Sequence, residues 1–263
     1  MRRASHPLIH AVFILCYLVP TCHELGCCVT TRADDKKMEA ARITATVPVV
    51  IISGTKATLK VRGFKLKEAT ELRLPTAAYA KVEITEKKDA SQPKGLENKV
   101  VGDTQILAEI TLPVDHPAGV LEFAIATPAG DATGKILVLS ADAVIDETEP
   151  NNGFREVQKL QSGQSARGSI QGDKDVDVYA YPITTGKQYK VTVTAGAPLI
   201  LDAELNCYNA RGQFLAAADD AQSRDPVLTL KSPVDDIVFL CVSSAHDTGG
   251  EWHSYLLTVE EVK

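Results

Sequence analysis

Two stretches, Glu147-Thr-Glu-Pro-Asn-Asn152 and Gly168-Ser-Ile-Gln-Gly-Asp-Lys-Asp-Val-Asp-Val-Tyr-Ala-Tyr181, concentrate carboxylates and carboxamides within a short span. The first is a proline-restricted turn, and the second runs into a segment rich in valine and tyrosine, which are typical of β-strands. Calcium takes six to eight oxygen ligands from carboxylates, carboxamides and carbonyls. A rigid turn docked beside an acidic strand could supply several of them, so the pair predicts a β-rich fold with a candidate cation site.

Short strand-like segments continue from this point to the end of the chain. Between Lys187 and Thr194 the residues alternate, which places Tyr189, Val191 and Val193 on one face. Residues 152–160 are expected to form a short helix or a turn. The expected strands are at about 166–171, 175–183, 187–195, 201–208, 227–231, 236–243 and 254–261.

Further motifs downstream occur in a consistent order: Leu201-Asp-Ala-Glu-Leu-Asn-Cys-Tyr-Asn-Ala-Arg-Gly212, Phe214-Leu-Ala-Ala-Ala-Asp-Asp220, Gly249-Gly250 and Tyr255-Leu-Leu-Thr-Val259. With the two opening stretches, they resemble the bacterial pre-peptidase C-terminal (PPC) domain over roughly residues 145–263. That family is a β-sandwich appended to many secreted peptidases and surface proteins. The chain departs from its pattern at Asn209, where aspartate is frequent, and at Asp235-Asp236, where a glycine turn is usual.

The first half also consists of alternating runs that end at glycine or proline, namely 57–62, 105–112, 119–126 and 135–139. Strands at this spacing indicate a β-sandwich. The segment Val61-Arg-Gly-Phe-Lys-Leu-Lys-Glu-Ala-Thr-Glu-Leu-Arg-Leu74 and the turn Thr127-Pro-Ala-Gly130 resemble IPT/TIG immunoglobulin-like domains over roughly 41–140. A generic immunoglobulin-like or fibronectin-like sandwich predicts the same architecture. The polar residues 85–104 are expected to form an exposed loop.

The N-terminus has the layout of a secretory signal. Arg2-Arg3 precede the apolar run Ala11-Val-Phe-Ile-Leu-Cys-Tyr-Leu-Val19, which is too short to cross a bilayer; a short buried helix is the alternative. The predicted organisation is a signal peptide at 1–28, a linker at 29–40, an immunoglobulin-like (IPT/TIG-like) sandwich at 41–141 and a PPC-type, jelly-roll-like sandwich at 142–263. The fold class is therefore all-β with two tandem β-sandwiches, and the protein is expected to be secreted, periplasmic or at the cell surface.

Cysteine usage gives little sign of a disulfide scaffold. Four of the six cysteines fall in or beside the leader, which leaves Cys207 and Cys241 for the folded part. Alternation places Cys207 on the core face of its strand and Cys241 on the opposite face, so two free thiols are favoured over a bridge. Leu25-Gly26-Cys27 partly resembles a lipoprotein signal, although Glu24 replaces an aliphatic residue. A lipid anchor at Cys27 is therefore an open alternative.

Composition argues against several classes of function. The formal net charge is −6, and there is no basic run or stripe. Nucleic-acid binding is disfavoured because its affinity comes largely from phosphate neutralisation. A second apolar span is missing, so no transmembrane helix is expected in the mature chain. The motifs of serine hydrolases, zinc peptidases and P-loop enzymes are missing too, so we predict a protein that is not an enzyme.

The predicted cation ligands are Glu147, Glu149, Asn151, Asn152, Asp173, Asp175 and Asp177. The related collagen-binding modules of bacterial collagenases hold calcium with a comparable Glu-x-Glu-x-Asn-Asp segment and downstream acids. That resemblance implies a calcium role for the first four residues, with Asn152 in place of an aspartate. Asparagine carries no charge and should weaken binding. The alternative is a turn in which an asparagine caps the following helix, while Asp177 faces solvent or pairs with a lysine.

Two functions of different classes remain open. The first is a secreted, non-catalytic binding or adhesion module that recognises protein or polysaccharide. The second is an accessory or chaperone-like subunit of a secreted peptidase or other hydrolase. Solvent-exposed aromatic residues on a strand face would favour a fibrous or sugar ligand. The candidates for such exposure are Tyr179, Tyr181, Tyr208, Trp252 and Tyr255, and core packing is expected for at least half of them.

Overall fold

A computed structural model describes residues 40–220, 224–231 and 233–262. The predicted signal peptide, its cleavage site and nearly all of the predicted linker lie outside the described residues. The elements of the first half are β1 (Arg42–Val47), β2 (Val50–Ile52), β3 (Lys56–Phe64), β4 (Glu71–Arg73), β5 (Lys81–Asp89), α1 (Asn98–Val101), β6 (Thr104–Thr111), β7 (Gly119–Thr127) and β8 (Gly130–Leu139).

The second half begins after a single 3₁₀ turn at Ala141–Ala143 and is built from strands. They are β9 (Val144–Asp146), β10 (Gln158–Lys159), β11 (Ser165–Ser169), β12 (Val176–Ile183), β13 (Gln188–Ala195), β14 (Ala203–Asn209), β15 (Phe214–Ala218), β16 (Val227–Lys231), β17 (Asp236–Ser244) and β18 (Ser254–Val262).

Each half forms a sandwich of two sheets around its own core. The first sandwich packs the sheet β1-β3-β6-β5 on the sheet β2-β8-β7-β4. Its core is filled from alternate positions, such as Leu59 and Val61 of β3 and Phe123 and Ile125 of β7. The predicted all-β class with two tandem sandwiches is confirmed.

The second sandwich packs the sheet β10-β12-β17-β14-β15 on the sheet β16-β13-β18-β11-β9. Tyr179 and Tyr181 of β12 face Val191 of β13 and Tyr255 and Leu257 of β18 across its core. Cys207 and Cys241 lie on neighbouring strands, but Cys207 points into the core and Cys241 points out of it. Both thiols are free. Side chains on opposite faces of a sheet cannot approach closely enough for a disulfide.

The long strands match the alternating runs, and the differences lie at sheet edges. The prediction of an exposed loop at 85–104 is wrong at its start, because β5 continues to Asp89 as an edge strand paired with β6. Most of its side chains face water, so the residues read as polar. Residues 152–157 form turns rather than a helix, and β10 follows. The described part of the chain contains no helix with the length and apolarity that a membrane crossing requires.

The two sandwiches share a tight interface centred on Trp252, which is 2% exposed. The guanidinium carbon of Arg62 lies 5.5 Å from the centre of the indole, and the Lys60 ammonium lies 5.1 Å from it. Arg62 is fully buried and donates to the Gly102 carbonyl and to Asn98 Oδ1, at 2.9 and 2.7 Å from Nη2. Trp252 is thus enclosed by cations of the other sandwich, an arrangement that stabilises through cation–π attraction as well as burial.

Glu251 reinforces this interface by accepting hydrogen bonds from three groups. Lys60 Nζ, Ser91 Oγ and Trp252 Nε1 donate to its carboxylate at 2.9, 3.0 and 3.1 Å. At a second contact, Arg167 Nη1 donates to the Val50 carbonyl at 3.2 Å. The bonds of Lys60, Ser91 and Arg167 cross between the sandwiches and hold one against the other.

We expect Trp252→Ala to lower the free energy of unfolding by about 3–5 kcal/mol, because a large buried ring is lost and its cationic neighbours lose their partner. Tyr79→Ala is the matched control, since Tyr79 is an exposed aromatic residue of the first sandwich. Urea denaturation of both variants and the wild type measures the difference. A loss below about 1 kcal/mol for Trp252→Ala would show that the interface contributes little to stability.

Candidate metal centre

The loop after β9 is held between the two sheets of the second sandwich. β9 pairs in parallel with β11, and the Glu147 amide continues this pairing by donating to the Arg167 carbonyl at 2.9 Å. On the other side, the Val178 amide of β12 donates to the Asn151 carbonyl at 3.0 Å. Between these points the Glu149–Pro150 peptide bond is cis. The loop therefore spans the end of the sandwich.

The loop and β12 bring three carboxylates together. One oxygen each of Glu147, Glu149 and Asp177 lies within 4.8 Å of the others. Their exposure is graded: Glu149 is exposed, Glu147 is half-buried and Asp177 is fully buried. Three like charges this close repel one another, so the cluster is unfavourable unless a proton or a cation neutralises part of it.

Several oxygens at this place are already engaged. The Ser169 amide donates to Glu147 Oε2 at 2.5 Å, and Gln171 Nε2 donates to Glu147 Oε1 at 3.2 Å. The backbone amide of Asn151 donates to Glu149 Oε2 at 2.9 Å. These bonds fix the direction of both glutamates without exhausting the lone pairs of their carboxylates.

Other buried atoms in the same place are not satisfied. Asn151 is fully buried, and neither its side-chain oxygen nor its side-chain nitrogen makes a hydrogen bond of normal geometry. Asp177 Oδ1 has no partner either. A buried polar atom without a partner costs about 1–3 kcal/mol, so these atoms add to the unfavourable energy of the carboxylate cluster.

The inner oxygen of Asp177 ends a chain of hydroxyl groups. Tyr255 Oη donates to Asp177 Oδ2 at 2.6 Å, and the Tyr179 and Tyr255 hydroxyls lie 2.8 Å apart. Burial raises the pKa of Asp177 from 3.8 to about 8, although Tyr255 and the nearby Asn151 amide act to lower it. Burial also raises the pKa of Glu147, against the hydrogen bonds from Ser169 and Gln171.

The structure does not bring all seven predicted ligands to this point. Glu147, Glu149, Asn151 and Asp177 belong to it, whereas Asp173 forms an ion pair with Lys94 of the first sandwich.

The other two predicted ligands hold the loop to its neighbours. Asp175 Oδ2 accepts from the Gln171 amide at 2.6 Å. With its amide oriented to suit its neighbours, Asn152 donates to Asp175 Oδ1 at 2.8 Å and to the Val176 carbonyl at 3.0 Å. The metal-binding role of each of the seven residues stays a prediction.

Two residues of the site, Tyr255 and Gly168, were not among the predicted ligands. Tyr255 supplies the hydroxyl that meets Asp177, and alternation along β18 is the signal that would have placed it inside. Gly168 of β11 leaves room for that hydroxyl, because an added Cβ would collide with it and would lie 2.6 Å from Glu147 Oε2. The absence of a side chain at 168 is therefore a requirement of the site.

A second group of acids, Asp202, Asp219 and Asp220, also has oxygens within 4.8 Å of one another. His246 Nε2 lies 3.3 Å from Asp202 Oδ2 and satisfies part of it. Two of the three acids are exposed, as expected for solvated turns. This group lacks the fully buried side chains of the first.

Comparisons with known proteins place the chain only partly. No family model matches it. A probable subtilase-type serine protease of Deinococcus radiodurans is 33% identical over 106 residues, which are 39% of this chain and 15% of that protein. The chain thus spans a small part of that relative.

Two solved structures have a low similarity to the chain. The pre-peptidase C-terminal domain of a Bacillus anthracis collagenase is 16% identical, with a TM-score of 0.34, covering 43% of this chain and 100% of that one. A Bacteroides ovatus glucan-locus protein, SGBP-B, solved with a mixed-linkage heptasaccharide, is 11% identical, with a TM-score of 0.25, covering 80% and 71%. TM-scores this low transfer no function. The resemblance of the first sandwich to IPT/TIG domains stays a prediction.

The raised pKa of Asp177 predicts how stability without metal depends on pH. Between its ordinary pKa of 3.8 and about 8, the folded chain holds a proton that the unfolded chain has lost. The free energy of unfolding in chelator should therefore fall as pH rises from about 5 to about 8. Asp177→Asn should make this dependence shallower, because the amide does not titrate. Equal slopes for the two proteins in urea denaturation would contradict the raised pKa.

Gly168→Ala should destabilise the protein by about 1–3 kcal/mol, because the methyl group forces Tyr255 or Glu147 out of place. Gly172→Ala is the matched control, since a Cβ there meets no atom within 4 Å. Thermal melting and the near-ultraviolet spectrum of the tyrosines report the two effects. Indistinguishable behaviour of the two variants would show that the site does not need the space at 168.

Proposed function

We propose that this protein is a secreted or cell-surface, non-catalytic binding module whose second sandwich is stabilised by calcium. The observation that carries the proposal is the meeting of carboxylate oxygens of Glu147, Glu149 and the fully buried Asp177, next to a buried Asn151 whose side-chain oxygen makes no hydrogen bond. A hard cation would take these oxygens as ligands and neutralise the repulsion among the carboxylates. The chemistry is structural, because nothing in this arrangement positions a nucleophile against a base.

The proposed ligands are Glu147, Glu149, Asp177 and the side-chain oxygen of Asn151. Calcium accepts six or more oxygens, so backbone carbonyls or water would complete the shell. Bound calcium would hold Asp177 ionised at neutral pH, and binding would release the proton that its raised pKa retains. The loop is already ordered, which lowers the entropy cost of binding calcium. Hydrogen bonds from backbone amides fix the carboxylates of Glu147 and Glu149 in place.

The partner we propose is an extracellular protein or polysaccharide, since the acidic chain has no basic surface run for nucleic acid. The leader-like N-terminus supports export, with a lipid anchor at Cys27 as an open alternative. A second candidate is an accessory or chaperone-like subunit of a secreted hydrolase. The similarity to a stretch of a probable subtilase-type protease favours it. Capture of a single hydrolase from an envelope fraction would support this second function over adhesion.

Calcium should raise the melting temperature of the wild-type protein, and chelator should lower it. A ligand bound only by the native state adds about 2.7 kcal/mol at a hundredfold excess over its dissociation constant. Glu149→Gln should remove most of this difference because one charged ligand is lost while the side chain keeps its size. Calorimetric titration with calcium checks the same point directly.

The matched control is Glu156→Gln, which neutralises an exposed glutamate a few residues further along the same loop. This variant should keep the full response to calcium. Equal melting temperatures of the wild type in calcium and in chelator, with no heat of binding, would reduce the cluster to a structural turn. A response that Glu149→Gln and Glu156→Gln lose equally would indicate a general charge effect.

A further inference from the structure

The outer face of the sheet β10-β12-β17-β14-β15 carries an apolar groove beside the candidate metal centre. Val178 and Cys241 point out of the core by alternation, yet they are only 2% and 6% exposed. The turn at 152–154 overhangs them, and the space between has a volume of about 340 Å³. Small-ligand sites have volumes of about 300–1,000 Å³, so the groove is large enough for a small ligand. A stable protein interface, by contrast, is a wide surface of about 800 Å² on each partner.

A group of aromatic side chains borders this groove. Phe154 stacks on Phe239 with ring centres 4.7 Å apart and planes inclined by 16°. The ring centre of Tyr208 lies 5.3 Å from that of Phe154 and 5.8 Å from that of Phe214. Phe154 is 42% exposed and Phe214 is 59% exposed. Exposed aromatic rings gathered at one place are typical of ligand-binding grooves, whereas rings scattered singly are ordinary surface.

The polar groups of the groove identify the class of ligand. Its lining includes the amide of Asn206 and the hydroxyls of Ser243 and Tyr208, and none of the lining side chains is charged. A charged ligand would be desolvated there without a counter-charge. A neutral ligand with apolar faces and many hydroxyl groups fits both the rings and the amide. Of the five aromatic residues named from the sequence, Tyr208 lines this groove, and the other four are buried.

We propose that this groove binds a neutral polysaccharide, with sugar faces stacked on Phe154 and Tyr208 and hydroxyl groups bonded to Asn206 and Ser243. The inference deepens the proposed function and rests on it for one feature, the link to calcium. The Asn151 carbonyl accepts from Val178, whose side chain lines the groove, and Phe154 lies three residues after Asn151. Calcium at Asn151 would hold the overhanging turn in place.

Affinity electrophoresis tests the proposal with the purified full chain. Gels contain soluble β-glucan, mannan or xylan as neutral probes and alginate or chitosan as charged ones. We expect at least one neutral polysaccharide to retard the wild type, and neither charged polymer to do so. Phe154→Ala and Tyr208→Ala should each weaken this binding at least about tenfold, as central aromatic contacts do. Tyr79→Ala removes an exposed aromatic ring from the first sandwich, away from the groove, and should change nothing.

Calorimetry with calcium separates the two proposals. The alanine variants should bind calcium as the wild type does, while chelator should weaken polysaccharide binding by the wild type. Retardation that persists in chelator would overturn the link to calcium, and absence of calcium binding would overturn the proposed metal site without touching the groove. No retardation by any neutral polysaccharide, equal retardation of the alanine variants, or retardation by the charged polymers alone would overturn the groove assignment. Capture of an extracellular protein that Tyr208→Ala abolishes would overturn the choice of a polysaccharide.

Discussion

The hydrogen bond from the Tyr255 hydroxyl to the buried carboxylate of Asp177 joins the two sheets of the second sandwich through its core. Tyr255 belongs to β18 and Asp177 to β12, which lie in opposing sheets. Tyr179 adds a second hydroxyl to the same chain. A charge is costly in such a place, and the hydroxyl satisfies only one of its oxygens. The other oxygen needs a proton or a cation, and this constraint shapes the end of the sandwich.

The loop from Glu147 to Phe154 connects the carboxylate cluster with the outer surface of the sandwich. Its first residues bond to β11, its middle bonds to β12, and its last aromatic side chain covers the outer face of the same sheet. A change at the carboxylate cluster therefore reaches the groove through a few covalent bonds and two backbone hydrogen bonds. Coupling of this kind requires no long-range pathway, because the proposed metal site and the proposed ligand site share one segment.

The interface between the sandwiches serves a different end. Trp252 and Glu251 lie in the turn before β18, the strand that carries Tyr255. Their contacts with Lys60 and Arg62 fix the start of that strand from outside the second sandwich. The first sandwich thereby supports the geometry of the cluster without contributing a ligand to it. The ion pair between Lys94 and Asp173 adds a further contact near the same end.

Local pattern was sufficient for the strands that are buried on one face. Alternation predicted β12, β13 and β17 closely, because burial of one face of a sheet imposes a period of two on the sequence. Edge strands such as β5 escaped it, since most of their side chains face water and carry no apolar signature. The free thiols followed from the same rule, because the period of two places Cys207 and Cys241 on opposite faces.

The acidic motif determined which chemistry is available, but it did not determine which acids meet. Asp173, Asp175 and Asp177 are equivalent in sequence, yet only Asp177 turns into the core, because the third position of that run is already inside β12. The groove on the outer face could not be predicted from the sequence for a related reason. Phe154, Tyr208 and Phe239 come from three separate segments, and only the pairing of β14 with β17 and the return of the loop bring their rings together. The sequence by itself determined the sandwiches and the kind of oxygen ligands; the tertiary structure decided the contacts, because they join residues distant along the chain.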